Sequence, residues 1–151
     1  MYFVDREKIE RTLAYMETIS ESYVPPMMPQ NELERLALER VASVLIEAII
    51  DVGNSMIDGF IMRDPGGYTD IIDILEDEKV IGAEQAASLK ELIQLRKQLV
   101  QEYVSVNIAE VIEVMTKSQA ALRDFPKDVR RYLIEELGPV SAFLPDKQTE
   151  S

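Results

Sequence analysis

The segment from Asn31 to Gly59 limits the fold more than any other part of the chain. Leu33, Leu36, Ala37, Val41, Val44, Leu45, Ala48, Ile49, Val52 and Met56 recur at helical spacing and form one apolar face. In its second half Ala42, Ile46, Ile50, Gly53 and Ile57 make the back apolar as well. A helix that is apolar nearly all round must be covered by more than one neighbour. The segment therefore predicts a bundle wrapped about one central helix, opened by a capping box of Asn31 and Glu34. One narrow strip stays polar: at about 100° per residue, Arg40, Ser43, Glu47, Asp51, Asn54 and Asp58 line up on one side. Such a strip either faces water or lines a cleft.

The rest of the chain supplies the neighbours. Ile9, Leu13, Met16 and Ile19 predict a first helix over 5–22. The stretch "YVPPMMPQ" ends it, because proline cannot continue a helix. "DPGG" breaks the chain after the central helix, and a short helix is expected near 70–78. A fourth helix is expected over 83–104. Asn107 with Glu110 opens a fifth, with Ile108, Val111, Ile112, Met115 and Leu122 on its buried face. Pro126 suits the first turn of a sixth helix, which Gly138 and Pro139 stop. No segment alternates as a strand would. The expected fold class is all-α, an antiparallel helical bundle of five to six helices. It forms one domain over 1–144, with a flexible tail over 145–151. The cover that the central helix demands also favours a homodimer, with that helix or the fourth at the seam.

Composition narrows the chemistry. The chain has 151 residues and no histidine or cysteine. Imidazole acid–base catalysis, a thiolate nucleophile and the usual zinc ligands are thereby excluded. No metal or cofactor is expected. A net charge of −12 repels nucleic acid over most of the surface, so RNA could bind only in a local cationic cleft. No apolar run is long enough to span a membrane. The start, "MYFVDREKIER", lacks the charged-then-apolar order of a signal peptide, so a cytoplasmic location is expected.

The stretch "LRKQLVQEY" carries the most pointed signal. Wound as an α-helix, Leu89, Leu92, Leu99, Val100 and Tyr103 share an apolar arc, and Arg96 falls near its middle. An unpaired buried guanidinium is prohibitive, so Arg96 must reach water, point into a polar cleft or meet an acid. Glu47, Asp51 and Asp58 are the acids best placed to receive it. The pair could simply fix helix register, or the guanidinium could grip phosphate.

Arg96, "KQLV", Gln101, Glu102, Tyr103 resembles the motif of the HepT-like proteins of the HEPN superfamily: Arg, four residues, His, one residue, Tyr. The segment "LIEAIIDVGNSMIDGFIMRDPGGYTDIIDIL" and the ending "DFPKDVRRYLIEELGPVSAF" extend the likeness over nearly the whole chain. The resemblance implies an all-helical dimer with motif residues of both subunits in one cleft. It implies a metal-independent RNase toxin paired with a minimal nucleotidyltransferase antitoxin that can adenylylate the motif tyrosine, here Tyr103. Arg96, Gln101 and Tyr103 become the candidate catalytic residues. Glu47, Asp51, Asn54 and Asp58 become the polar strip of the cleft. Two positions depart from the pattern: Gln101 stands at the histidine, and Lys97 stands where many members have Asn. Glutamine can hydrogen-bond but cannot titrate near neutrality. Losing a general acid–base lowers rate by about 10²–10⁴. The alternative is a non-catalytic dimeric module that keeps the cleft for a partner or nucleotide.

Three other groupings carry weaker signals. Asp70, Asp73 and Asp77 share a helical face and could hold Mg²⁺, but a solvated acidic face accounts for them too. Glu7 and Glu10 form one E-x-x-E without the second acidic pair of the helical pyrophosphohydrolases. Arg123, Lys127, Arg130 and Arg131 form a basic cluster that is either salt-bridged surface or a patch for RNA or an acidic partner.

Overall fold

A computed structural model describes residues 2–23 and 28–139. Among these residues there are six α-helices and no strand: α1 (Arg6–Ser22), α2 (Glu32–Gly59), α3 (Tyr68–Asp77), α4 (Ala83–Gln94), α5 (Ile108–Lys117) and α6 (Gln119–Leu137). Short polar side chains start three of them. The Asp5, Asn31 and Asn107 side chains accept the N–H of Lys8, Glu34 and Glu110. Each satisfies one of the donors that a helix start leaves free.

Helix α2 is the axis. It packs against α1, α3 and α5, while α6 closes the ring on α1 and α4. Both apolar faces of α2 are consequently buried inside one chain: Ala42, Ile46, Ile50 and Ile57 on the back, Leu45, Ile49, Val52 and Met56 on the front. Within the chain, α1, α3 and α5 supply this cover. Close approach makes this work at Gly53, where an added Cβ would sit 2.4 Å from Ile71 Cγ2. The first turns of α2 do not join the core. Leu33 is 77% exposed and Leu36 50% exposed, while Leu38 is the first residue of α2 to be buried. Helix α1 runs antiparallel to α2 and α6. Phe3 donates its N–H to Gly59 at 3.1 Å, and Arg6 Nη1 donates to the Gly138 carbonyl at 2.9 Å.

Three boundaries differ from expectation. Helix α4 stops at Gln94, and residues 97–101 form a wider π-helical turn in which Glu102 N–H bonds Lys97 O at 3.2 Å. A short 3₁₀ turn over Tyr103–Ser105 follows. A single residue, Ser118, separates α5 from α6. Pro126 therefore sits well inside α6, not in its first turn, and its buried ring takes the place of a helical N–H. The chain also turns before Pro65–Gly67. Ile61 adopts φ 57° after α2, and Lys79 adopts φ 63° after α3. In each case the next residue donates back five positions: Met62 to Ile57 and Val80 to Leu75, both at 2.9 Å. The expected tail at 145–151 and residues 24–27 of the proline-rich connector lie outside the described residues. Among the described residues no helix is long and apolar enough to cross a membrane.

Candidate functional site

Leu92, Leu95 and Leu99 anchor the end of α4 and the π-helical turn in the core. Arg96 lies between these anchors, at the edge of α2. Its Nε donates to Glu47 Oε1 at 2.7 Å, with the two side chains 24% and 44% exposed. On the other side the Tyr68 ring, at the start of α3, lies 4.4 Å from the guanidinium carbon. The Glu47 hydrogen bond raises the guanidinium pKa further, so Arg96 stays charged. Nε is the donor that is spent. Among the described residues no acceptor bonds Nη1 or Nη2. An arginine held at Nε and over an aromatic ring, with Nη1 and Nη2 unbonded among the described residues, is prepared to bind a two-oxygen anion edge.

The wider π-helical turn decides where the remaining motif residues go. It takes an extra residue into one turn, so later side chains rotate away from the register of α4. Val100 and Tyr103, expected on the apolar arc, are exposed, as is Gln101; Tyr103 is 67% exposed and neighbouring Val104 89%. Neither Gln101 nor Tyr103 is hydrogen-bonded to Arg96. Gln98 pins the turn from below. Its side-chain oxygen accepts the Asn107 N–H at 2.8 Å and its amide donates to Glu110.

Of the polar strip on α2, Glu47 meets Arg96 and Ser43 borders the same small hollow, with Ile46, Leu99 and Val100. Asp51, Asn54 and Asp58 lie exposed further along the helix and outside that hollow. The hollow measures about 10 Å³, room for roughly one water and not for a nucleotide. A roomier hollow of about 330 Å³ lies elsewhere, between α1, α5 and α6, and contains no motif residue.

The 123-residue span that carries these features matches a family model. The model is described as HepT-like, ribonuclease HepT-like, and it covers residues 7–129. This chain belongs to the HepT-like family. A Bacillus subtilis (strain 168) protein named "Putative RNase YutE" is 52% identical over 143 residues, which is 95% of this chain and 99% of that protein. The solved structure of the cytosolic protein YutE from Bacillus subtilis superposes with a TM-score of 0.90, covering 95% of this chain and 100% of that one. Two more distant structures share the HepT-like fold at 18% identity. One is a toxin–antitoxin complex with AMP-PNP, at a TM-score of 0.68 over 80% of this chain and 96% of that chain. The other is a tri-AMPylated Shewanella oneidensis HEPN toxin with its MNT antitoxin, at 0.63 over 82% and 91%.

The weaker sequence groupings resolve into ion pairs. Asp70 takes both guanidinium nitrogens of Arg63 at 2.8 and 3.0 Å, Asp73 takes Lys90, and Asp77 lies beside Arg63. Among the described residues no cluster of acids is arranged to hold a metal ion. Arg130 is bound by Glu10 and Glu17, and Arg131 by Glu135. Tyr68 and Gln98, which build the site, carry no motif signal. A tyrosine opening a short helix and a glutamine beside an arginine are too common to single out by spacing.

Proposed function

We propose that this chain is the RNase component of a toxin–antitoxin pair, acting in the cytoplasm as a homodimer whose cleavage is slowed by the loss of its histidine. The observation that carries this reading is the Arg96 guanidinium with its outer fork free beside the exposed Gln101–Tyr103 segment. In metal-independent RNA cleavage the 2′-oxygen bonds to phosphorus as the bond to the 5′-oxygen breaks. One proton must leave the 2′-hydroxyl, and another must reach the departing oxygen. Arg96 would stabilise the charge that builds on the phosphate oxygens. Gln101 can orient a hydroxyl or water but can neither take nor give the proton. Family membership and the 52% identical relative named as an RNase support the substrate class.

A second copy of the chain is the natural cover for the site. Val100 is 47% exposed beside the hollow, next to Tyr103 and Val104, and Leu33 and Leu36 lie on the outward face of α2. A partner surface there would bury this apolar rim and deepen a hollow too small for a nucleotide. Tyr103 offers an accessible hydroxyl to a nucleotidyltransferase antitoxin. Its oxygen would bond to the α-phosphorus of ATP, with pyrophosphate leaving and the phenolic proton released. The AMPylated state of the distant HEPN toxin supports that role.

The test is cleavage of structured and unstructured RNA by the purified chain, by Arg96→Ala and by Gln101→His. Slow cleavage that disappears in the first variant and rises by about 10²-fold or more in the second is the expected result. The exposed apolar rim favours one rival reading, a dimeric interaction module without catalysis. Absence of cleavage in all three forms, with the dimer intact by sedimentation, would establish that rival.

A further inference from the structure

Arg96 is held on two sides, and only one of them is a salt bridge. The other is the ring of Tyr68, 4.4 Å from the guanidinium carbon and itself 48% exposed. Nothing in the motif spacing points to this tyrosine. It comes from the opposite side of the central helix sequence, after the turn that follows α2, and its position depends on how that turn is closed. Closure comes from Arg63 and Asp70. The Arg63 fork binds both Asp70 oxygens at 2.8 and 3.0 Å, and Asp70 Oδ2 also accepts the Gly66 N–H at 2.7 Å. These bonds tie the loop to the first turn of α3, where Tyr68 is the opening residue.

We propose that Tyr68, fixed by the Arg63–Asp70 staple, is a positioning residue of the anion site: it supports the Arg96 guanidinium face so that Nη1 and Nη2 stay turned outward for phosphate. The role rests on the reading of Arg96 as an RNA-phosphate ligand. Glu47 by itself restrains only Nε, and a guanidinium tethered at one nitrogen can still swing about its stem. An aromatic ring against the face removes that freedom without consuming a donor, which a second carboxylate would do. The ring thus separates holding the cation from neutralising it.

Two measurements on the full chain test this. The first needs no RNA. In ¹⁵N-labelled protein the Arg96 Nε–H resonance, identified by its disappearance in Arg96→Lys, should carry a ring-current displacement. Tyr68→Leu should abolish that displacement, Tyr68→Phe should keep it, and Arg63→Met should reduce it. An unmoved resonance in Tyr68→Leu overturns the contact, and one unmoved in Arg63→Met overturns the staple. The second is binding of a fluorescently labelled single-stranded RNA oligonucleotide at low salt. Tyr68→Leu should weaken it by about three- to tenfold and Tyr68→Phe by less than about twofold. In an Arg96→Ala background Tyr68→Leu should add nothing, because the two residues act as one unit. A loss that persists in that background, or no loss where Arg96→Ala itself weakens binding, overturns the positioning role alone. If Arg96→Ala leaves RNA binding unchanged, the RNase reading falls, and the positioning of phosphate falls with it.

Discussion

Arg130 and Arg96 face similar chemistry and are used in opposite ways. Arg130, on α6, makes four hydrogen bonds to two carboxylates of α1: Nε and Nη2 to Glu10, Nη1 and Nη2 to Glu17, at 2.7–2.9 Å. Its fork is spent on joining two helices. Arg96 makes one such bond, to Glu47, and its guanidinium carbon lies over the Tyr68 ring. The two side chains are similarly accessible, 32% and 24% exposed, so exposure does not separate them. What separates them is the number of donors left over. Arg130 is saturated by the protein, whereas Arg96, which we propose binds phosphate, is held by contacts that leave Nη1 and Nη2 unbonded among the described residues.

This contrast can be broken by experiment. Arg130→Met should lower the unfolding free energy by about 1–2 kcal/mol, discounted for the partial exposure of the pair, and leave RNA binding intact. Arg96→Met should do the reverse, changing chemical denaturation by less than about 0.5 kcal/mol while removing RNA binding. Equal stability losses for both would erase the distinction. Acid should produce the next effect. The Arg130 hydrogen bond holds the Glu17 carboxyl below its ordinary range. A carboxyl depressed in the folded state contributes stability above its unfolded pKa and loses it as pH falls through the folded value. The thermal midpoint should therefore drop on the acid side of the ordinary glutamate range, and Arg130→Met should show a smaller drop. The Arg63–Asp70 staple should survive further into acid, because Asp70 is lowered to about 2, first by Arg63 and then by the Gly66 N–H. A smaller loss than that of Arg130→Met is expected from Arg130→Lys, about 0.5–1 kcal/mol, since an ammonium keeps the charge and loses the fork. Arg96→Lys should leave denaturation unchanged yet still weaken RNA binding.

Helix ends show where sequence reading works and where it stops. Asp5, Asn31 and Asn107 cap their helices through local hydrogen bonds, so a few adjacent residues suffice to predict them. Gly138 likewise ends α6 with φ 82°, a conformation natural to glycine. Ile61 and Lys79 also take positive φ without that chemistry, each followed by a residue whose N–H bonds back into the helix, Met62 to Ile57 and Val80 to Leu75. Pro126 misled in a related way. Proline is common in a first turn, but here a buried environment carries it within the helix.

By itself the sequence determined the all-helical class, the central place of α2, the special standing of Arg96 and the acids that could receive it. Those properties follow from periodicity and from the cost of burying charge, which act over one or two turns. Tertiary structure alone decided that Glu47 takes the pair, that Tyr68 supports the guanidinium, and that a π-helical turn moves Tyr103 from the apolar arc into solvent. A helical wheel assumes one fixed angle per residue, and a single wider turn breaks that assumption for every residue after it. Contacts between residues far apart in sequence leave no mark in local spacing, so the ring beneath the arginine became legible only once the helices were packed.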